Sequence, residues 1–386
     1  MRIFYTCYND LSRQAGDVRH IMEIAQNLKE LGHDILVFAP RRGKYKQKTQ
    51  AQVVYVPLIE VPILNIISYS LLLLVYLMFH SLRKRPNIIY SRDGWSLTSF
   101  LFAKLVSRPL VIEVQIFISI PEIKKRGFEL IKYKILYFIS AVSLIFSDRV
   151  VTTTNLTKQR LSKFLNLPSH KIIVVPCGAD AELFRPMNTK EVRTQLNLRQ
   201  DCYYVGMVGS LYPHQGVDYL INSTPFILKE LPNTKFIIVG EGIMKKELIK
   251  LVTDLGLDDK IFFSGEIPYE DVPKYINAFD ICAVFFKPVI PYTADPIKLY
   301  EYLACAKPVV VSGLEWCKDF LDRVDGVVWT EASDAQKLTG AIVRLLKDEG
   351  LREKIGKHGR EAILEQRTWI ISARKVEAIL RELTKS

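Results

Sequence analysis

Short apolar segments alternate with amphipathic helical segments along most of this chain, and this alternation constrains the fold more than any other feature. The segment from Asp17 to Leu31 has apolar residues at helical spacing, and Gly32 after it is typical of a helix end. The first half holds seven predicted strands: Ile3–Tyr5, Ile35–Ala39, Val53–Val56, Ile88–Tyr90, Leu110–Val114, Arg149–Thr153 and Ile172–Val175. Strands separated by helices favour a parallel sheet covered on both faces.

A second series of the same kind follows a turn-rich segment, Pro176–Pro186. Its predicted strands are Tyr203–Val208, Lys235–Val239, Ile261–Phe263, Ile281–Val284 and Val309–Val311. Two such series in 386 residues indicate two domains, each large enough for its own core. We therefore predict an α/β protein built from two Rossmann-like domains with parallel sheets.

The segment from residue 293 to 312 predicts a ligand. It reads as a loop ending at Pro296, a short helix, a turn at Pro308 and a buried strand. The N-terminus of a helix offers unpaired N–H groups and a positive dipole end, both of which favour phosphate. Lys298 in the first turn can reach a diphosphate, and Glu301 one turn later can accept both hydroxyls of a ribose. The alternative is an ordinary helix–strand unit in which Glu301 is solvated.

This segment resembles the donor-binding motif of the retaining GT-B glycosyltransferases of family 4. The second glutamate of that motif matches Glu301, and the first falls on Thr293, which is a departure. The residues from Asp295 to Lys298 resemble the motif variant with Ser-Pro-Leu-Lys before the helix. Further blocks resemble the family in order and spacing: Leu31–Val37, Tyr204–Ser210, Gly216–Ile221, Gly240–Gly242, Phe263–Pro268 and Ala278–Ile281.

The resemblance implies a GT-B fold, in which two Rossmann-like domains face each other across a cleft. It implies an acceptor domain over residues 1–185, joined by the C-terminal helix 367–386, and a nucleotide-sugar donor domain over residues 186–366. No cofactor or metal is expected, because the nucleotide-diphosphate sugar is itself the donor substrate and the chain has no Asp-x-Asp motif.

The resemblance also assigns residues to the donor site. Ile267 borders the base, Glu301 holds the ribose, and Ile297, Lys298 and Leu299 meet the diphosphate. Gly240 and Glu241 fit a close backbone approach, although a plain strand-end turn fits equally. Where the family has an arginine and a lysine, this chain has Ser210 and Gln215, both uncharged. We expect Lys298 and the helix N-terminus to replace that charge, since stabilising a leaving anion is a large catalytic contribution.

On the acceptor side, Gly16 matches the position where the backbone nears the leaving phosphate, although a glycine at a helix start is the alternative. Glu113, near the end of the predicted strand Leu110–Val114, either binds a sugar hydroxyl, assists proton transfer or is an inward structural carboxylate. Arg92 with Asp93 either grips a phosphate or forms a local salt bridge. The carboxylate missing at Thr293 normally contacts the donor sugar, so either the sugar is unusual, or Asp295 reaches into its place, or the protein binds without transferring. The candidate catalytic residues are therefore Lys298, Glu113, Thr293 and Asp295, and no protein nucleophile is required.

The charge of the chain predicts a membrane partner. Residues 1–190 hold 27 Lys and Arg against 13 Asp and Glu, and no nucleic-acid-binding motif accompanies this excess. The uncharged run Ile63–Phe79 precedes Arg83-Lys84-Arg85, and Arg41–Lys48 is a basic loop. A spanning helix would split the parallel sheet, so we expect a buried helix or one at the surface of an anionic membrane. With no signal peptide recognised and scattered cysteines, we expect a cytoplasmic protein at the inner face of the membrane.

These observations predict a retaining, metal-independent glycosyltransferase that moves a sugar from a nucleotide diphosphate to a membrane-associated lipid or polysaccharide acceptor. Two alternatives stay open. A GT-B-like nucleotide-sugar epimerase fits the donor motif but does not need a basic acceptor domain. A non-catalytic subunit that binds a nucleotide sugar or a membrane fits the substitutions at positions 293, 210 and 215.

Overall fold

The computed structural model describes residues 1–13, 15–42, 51–61, 64–92, 97–122, 126–287 and 294–385, and the chain divides into two compact units. The first unit contains residues up to Cys177, together with Ala294, Asp295 and the C-terminal segment from Trp369. The second unit runs from Gly178 to Thr368 apart from that insertion. The predicted boundary between residues 185 and 186 lies inside the second unit.

The strands of both units are short and mostly apolar. In chain order they are β1 Arg2–Thr6, β2 Asp34–Pro40, β3 Gln52–Val56, β4 Ile88–Arg92, β5 Leu110–Val114, β6 Arg149–Thr152, β7 Ile172–Val174, β8 Tyr203–Val208, β9 Thr234–Val239, β10 Ile261–Gly265, β11 Ile281–Phe285, β12 Val309–Ser312 and β13 Val327–Trp329. Their near-continuous hydrophobic runs are typical of strands buried on both faces.

The helices lie between these strands and after them. In chain order they are α1 Gly16–Glu30, α2 Leu64–Arg83, α3 Leu97–Leu105, α4 Gly127–Phe146, α5 Asn155–Leu165, α6 Thr189–Gln195, α7 Val217–Glu230, α8 Lys245–Asp254, α9 Val272–Ala278, α10 Ile297–Ala304, α11 Lys318–Leu321, α12 Ala335–Lys347, α13 Glu349–Gln366 and α14 Trp369–Thr384.

In the first unit the strand order is β3-β2-β1-β4-β5-β6-β7, and neighbouring strands are parallel. The chain leaves β1 first to one side and later to the other, so β1 and β4 flank the point where the strand order reverses. In sheets of this kind ligands bind beyond the carboxyl ends of the strands at such a point. Helix α14 returns to this unit and packs on α1, and its Ser372 hydroxyl donates to the Pro176 carbonyl at 2.7 Å.

In the second unit the strand order is β10-β9-β8-β11-β12-β13, again parallel. Strand β13 was not predicted, because its three residues are only partly buried and carry too little pattern. The other twelve strands lie within a residue or two of their predicted positions, and the prediction of two parallel-sheet Rossmann-like units is confirmed. All six cysteines are buried free thiols.

Candidate active site

Helix α10 forms the centre of the candidate donor site in the second unit. It begins after Pro296, and the Leu299 N–H bonds back to the Pro296 carbonyl at 2.9 Å. The buried side chains of Leu299 and Leu303 anchor the helix against the sheet. Proline before the first turn fixes where the helix starts, so the free N–H groups of that turn keep a defined direction.

Lys298 in the first turn of α10 is held by the loop that follows β8. Its Nζ donates to Gln215 Oε1 at 2.5 Å. Burial lowers the pKa of Lys298 to about 8, although the nearby charge of Glu301 acts in the opposite direction. An ammonium is easier to deprotonate when it is removed from water, and a bound anion would restore its ordinary pKa. The structure therefore brings Lys298 and Gln215 together, as a charged group and the neutral amide that orients it.

His214 continues this chain of hydrogen bonds. Because an ammonium can only donate, the Gln215 oxygen faces Lys298, and its amide nitrogen donates to His214 Nε2 at 3.0 Å. Burial, followed by the charge of Lys298, lowers the pKa of His214. The ring also stacks near Tyr212 and Phe286. His214 is therefore a neutral acceptor and does not supply the positive charge that a protonated histidine would bring.

Two glycines allow the loops of this site to approach one another. Gly209 and Gly240 have φ values of +138° and +137°, which side chains rarely adopt. A Cβ at Gly240 would lie 2.1 Å from the Gly209 carbonyl oxygen, and a Cβ at Gly209 would lie 2.6 Å from Lys298 Nζ. Gly240 therefore lies against the backbone of the loop that contains Gly209 and Ser210, and its close approach to a donor stays a prediction.

Glu301 is held in the second turn of α10 by a tyrosine that the sequence did not reveal. Tyr269 donates its hydroxyl hydrogen to Glu301 Oε1 at 2.7 Å, and the carboxylate is buried. Tyr269 follows closely after Ile267, the residue expected to border the base. The alternative of a solvated helix residue is thus wrong for Glu301. Glu241, by contrast, is half-exposed and pairs with Lys245 one turn later.

In the first unit, Glu113 at the end of β5 is the centre of a buried charge cluster. Its carboxylate, with no exposed surface, accepts hydrogen bonds from four side chains: His20 Nε2 at 2.7 Å, Tyr90 at 2.7 Å, Arg92 at 3.0 Å and Gln115 at 3.3 Å. Burial alone would raise the pKa of Glu113, but the charges of His20 and Arg92 and the hydrogen bonds lower it to about 2.

This cluster bears on the alternatives left open for Glu113 and Arg92. A buried carboxylate surrounded by four donors has the geometry of an inward structural group that positions its neighbours, and the structure favours this interpretation of Glu113. Arg92 forms a local salt bridge, as one alternative expected, but its partner is Glu113. Asp93 lies outside the described residues.

Asp295 is also engaged within the first unit. Its Oδ2 accepts a hydrogen bond from the Cys177 N–H at 2.8 Å, and the side chain is buried. Cys177 Sγ in turn lies 3.3 Å from His20 Nδ1. Asp295 was a candidate to reach the sugar in place of the absent glutamate. In the structure its carboxylate binds the Cys177 backbone, so a role of Asp295 at the sugar stays a prediction. Thr293 lies outside the described residues, and Gly16 is the first residue of α1.

The residues that sequence reasoning missed are Tyr269, His20 and Tyr90. All three are brought to their carboxylates by tertiary packing across at least 23 residues of sequence. A signal existed only for His20, which is a polar residue on the apolar face of α1.

Comparison with known proteins agrees with this architecture. Residues 188–362 match the family Glycosyl transferases group 1, and residues 15–183 match Glycosyltransferase Family 4. The uncharacterized glycosyltransferase MJ1607 of Methanocaldococcus jannaschii is 26% identical over 242 residues, which cover 61% of this chain and 60% of that protein. The chain thus spans about three fifths of that relative.

Two further proteins are informative. The UDP-Gal:alpha-D-GlcNAc-diphosphoundecaprenol alpha-1,3-galactosyltransferase of Escherichia coli is 26% identical over 276 residues, 70% of this chain and 68% of that protein. The crystal structure of Anabaena Alr3699/HepE in complex with UDP superposes with a TM-score of 0.80 at 18% identity, covering 99% of this chain and all of that one. At such identity the structural likeness establishes the fold.

Proposed function

We propose that this chain, which belongs to the GT-B glycosyltransferases of group 1 and family 4, transfers a sugar with retention of configuration from a nucleotide diphosphate to a lipid-linked or polysaccharide acceptor. The observation that carries the proposal is the pair Lys298 and Glu301 on α10. One turn of helix separates an oriented ammonium from a buried carboxylate, and this spacing suits a diphosphate and a ribose.

The proposed reaction needs positive charge at the leaving group. The acceptor hydroxyl oxygen bonds to the anomeric carbon while the bond from that carbon to the diphosphate oxygen breaks. The electron pair leaves with the diphosphate, which takes the proton of the acceptor hydroxyl. Lys298 and the N-terminal N–H groups of α10 stabilise the developing negative charge. Attack on the face from which the diphosphate departs retains the anomeric configuration and requires no protein nucleophile.

We further propose that the reaction is independent of metal ions. Lys298 supplies charge that a divalent cation provides in other nucleotide-sugar enzymes, and Gln215 orients it without adding a competing charge. Turnover in the presence of a chelator should therefore equal turnover with added magnesium or manganese. A strict requirement for either cation would overturn this part of the proposal.

The acceptor class is proposed from a relative. The name of the Escherichia coli relative specifies UDP-galactose as donor and a sugar on diphosphoundecaprenol as acceptor. The basic first half of this chain suits an acceptor that carries a diphosphate of this kind. A panel for this chain should therefore start with UDP and GDP sugars and with acceptors linked to polyprenyl diphosphate.

The test is product formation by the full chain with this panel, followed by mass spectrometry and by NMR of the anomeric proton. A glycosylated acceptor with the configuration of the donor is the expected result. A donor epimer formed without acceptor would instead identify an epimerase. Binding of nucleotide sugar with no product from any donor would identify a non-catalytic subunit.

A further inference from the structure

Helix α2 is apolar on the face that it turns away from the sheet. Its inner face is buried by Tyr69, Leu73 and Leu77, and the Tyr69 hydroxyl bonds to the Cys7 carbonyl at 2.5 Å. Its outer face exposes large apolar side chains at helical spacing: Leu64, Ile67, Leu71, Val75, Phe79 and Leu82. Leu71 and Val75 are 64% and 60% exposed. A helix at the surface of a soluble domain normally carries polar residues on that face.

Helices α3 and α4 extend this surface. Helix α3 packs against both α2 and α4, and Phe100 of α3 contacts Phe146 of α4 with ring centroids 6.2 Å apart. Leu101 and Leu105 of α3 are exposed. Helix α4 exposes Ile131, Tyr133, Ile135, Phe138, Ile145 and Phe146, and Phe138 is 68% exposed. We call the outer surfaces of α2, α3 and α4 the three-helix face.

The three-helix face exposes more large apolar side chains than the surface of a soluble domain normally does. Single exposed apolar residues are ordinary, but contiguous patches of this extent mark protein or membrane contacts. Among the described residues α2 alone is long and apolar enough to cross a bilayer, and 22% of its apolar window is buried in the protein. Its buried inner face holds it against the sheet, so it is fixed alongside the domain.

The segment of sequence that contains these three helices is basic. Residues 64–146 contain 11 Lys and Arg and only 4 Asp and Glu. Two of these cations lie over rings of the same helices, with the Arg83 guanidinium 4.4 Å from the Phe79 centroid and the Lys104 ammonium 5.8 Å from the Phe100 centroid. Lys84 and Arg85 follow α2 and are exposed. An apolar surface bordered by cations is complementary to an anionic membrane, because the apolar side chains suit the acyl layer and the cations suit the phosphate layer.

We propose that the three-helix face docks on an anionic lipid surface, with α2, α3 and α4 lying in the plane of the interface. The membrane contact predicted from the sequence involved α2 and the basic loop Arg41–Lys48. Residues 43–48 of that loop lie outside the described residues. The structure extends the contact to α3 and α4. Docking holds the protein as a peripheral protein at the inner face of the cell membrane. It does not depend on the transfer reaction of the proposed function.

The test measures binding of the full chain to vesicles of phosphatidylcholine alone or mixed with phosphatidylglycerol, by flotation at low and high salt. Wild type should bind only the mixed vesicles and should bind less at high salt. Val75→Glu on α2 and Phe138→Glu on α4 should each weaken binding about tenfold or more, because each puts a charge where an apolar side chain enters the bilayer. Both substitutions are at exposed positions, so thermal unfolding should be unchanged.

The matched control is Phe262→Glu, because Phe262 is an exposed phenylalanine, 69% exposed, in the second unit. This variant should bind vesicles like wild type. If Phe138→Glu also binds like wild type, α4 is not part of the docking surface and the proposal is wrong. If the protein binds no vesicles but is a dimer that Phe138→Glu dissociates, the face belongs to a second copy. Affinity for UDP should be the same in all variants, which separates this test from that of the proposed function.

Discussion

Lys298 Nζ lies 2.5 Å from Gln215 Oε1. Gln215 occupies a position where the family usually has a cation, and in this chain its neutral amide orients the lysine of α10. A second ammonium at that distance would repel the first strongly until a phosphate bound between them. A neutral amide avoids this repulsion and still accepts a hydrogen bond. The positive charge of this site therefore depends on Lys298, and its direction depends on Gln215.

The first prediction compares these two residues. Lys298→Ala should lower turnover about 100-fold or more, because it removes the charge opposite the leaving diphosphate. Gln215→Ala should cost about tenfold, since it removes one orienting hydrogen bond and leaves the charge in place. Steady-state kinetics on both variants measure this ratio, with the exposed Lys337→Ala as a control that should match wild type. Equal losses in the two variants would show that Lys298 does not carry the charge.

The second prediction concerns pH. Because the pKa of Lys298 is lowered to about 8, the free protein loses this charge as pH rises through 8. A bound nucleoside diphosphate raises that pKa, so binding takes up a proton and affinity falls about tenfold per pH unit above 8. Calorimetry of UDP binding in two buffers of different ionisation enthalpy measures the uptake.

The control for this pH dependence is Lys298→Arg. An arginine stays charged throughout the accessible range, so the variant should show neither proton uptake nor the fall in affinity above pH 8. If Lys298→Arg keeps the pH dependence of wild type, another group is responsible and Lys298 is not the residue that meets the diphosphate.

The third prediction separates ribose from phosphate recognition. Glu301→Ala should weaken binding of a nucleoside diphosphate by about 1.5–3 kcal/mol, the range for hydrogen bonds to a charged group. It should leave binding of inorganic diphosphate unchanged, since that ligand has no ribose. Lys298→Ala should weaken both ligands. Tyr269→Phe tests the support of Glu301 and should have a smaller effect in the same direction.

Calorimetry at one pH gives all of these affinities. The assignment of Glu301 fails if a folded Glu301→Ala variant binds the nucleoside diphosphate as tightly as wild type. It also fails if inorganic diphosphate is weakened as much as the nucleotide, because the carboxylate would then act on the phosphates.

The fold was predictable because each strand is a short apolar run between turn residues, a local pattern that tertiary contacts reinforce. Strand β13 was missed because Val327–Trp329 is too short to show a pattern. The exposed surface of α4 was not foreseen either. Composition shows that a helix is apolar, but only the packed structure shows how few of its side chains are buried.

The candidate site was predictable where it lies on one helix. Lys298 and Glu301 are three positions apart, so helical geometry alone places them on one side of α10. Their partners Gln215 and Tyr269 are 83 and 32 residues away along the chain, and no local pattern joins them. For the same reason, the sequence predicted an inward structural role for Glu113 only as one of several alternatives.

The last prediction tests the structural role of Glu113. Glu113→Gln leaves Arg92 buried without its counter-charge, which should lower the free energy of unfolding by about 3–5 kcal/mol at neutral pH. The pKa of Glu113 is lowered from 4.5 to about 2 in the folded protein. Its ionised form therefore stabilises the fold fully above the unfolded pKa, and this contribution is lost as pH falls from about 4.5 towards 2.

Urea unfolding of wild type and Glu113→Gln between pH 7 and pH 3 measures the difference, which should shrink as pH falls. Glu377→Gln is the matched control, because that carboxylate pairs with His33 and Arg381 near the surface and its loss should cost less. If Glu113→Gln unfolds like wild type but loses turnover with unchanged UDP affinity, Glu113 contacts the transferred sugar or the acceptor. In that case the buried cluster is catalytic, and the structural reading is wrong.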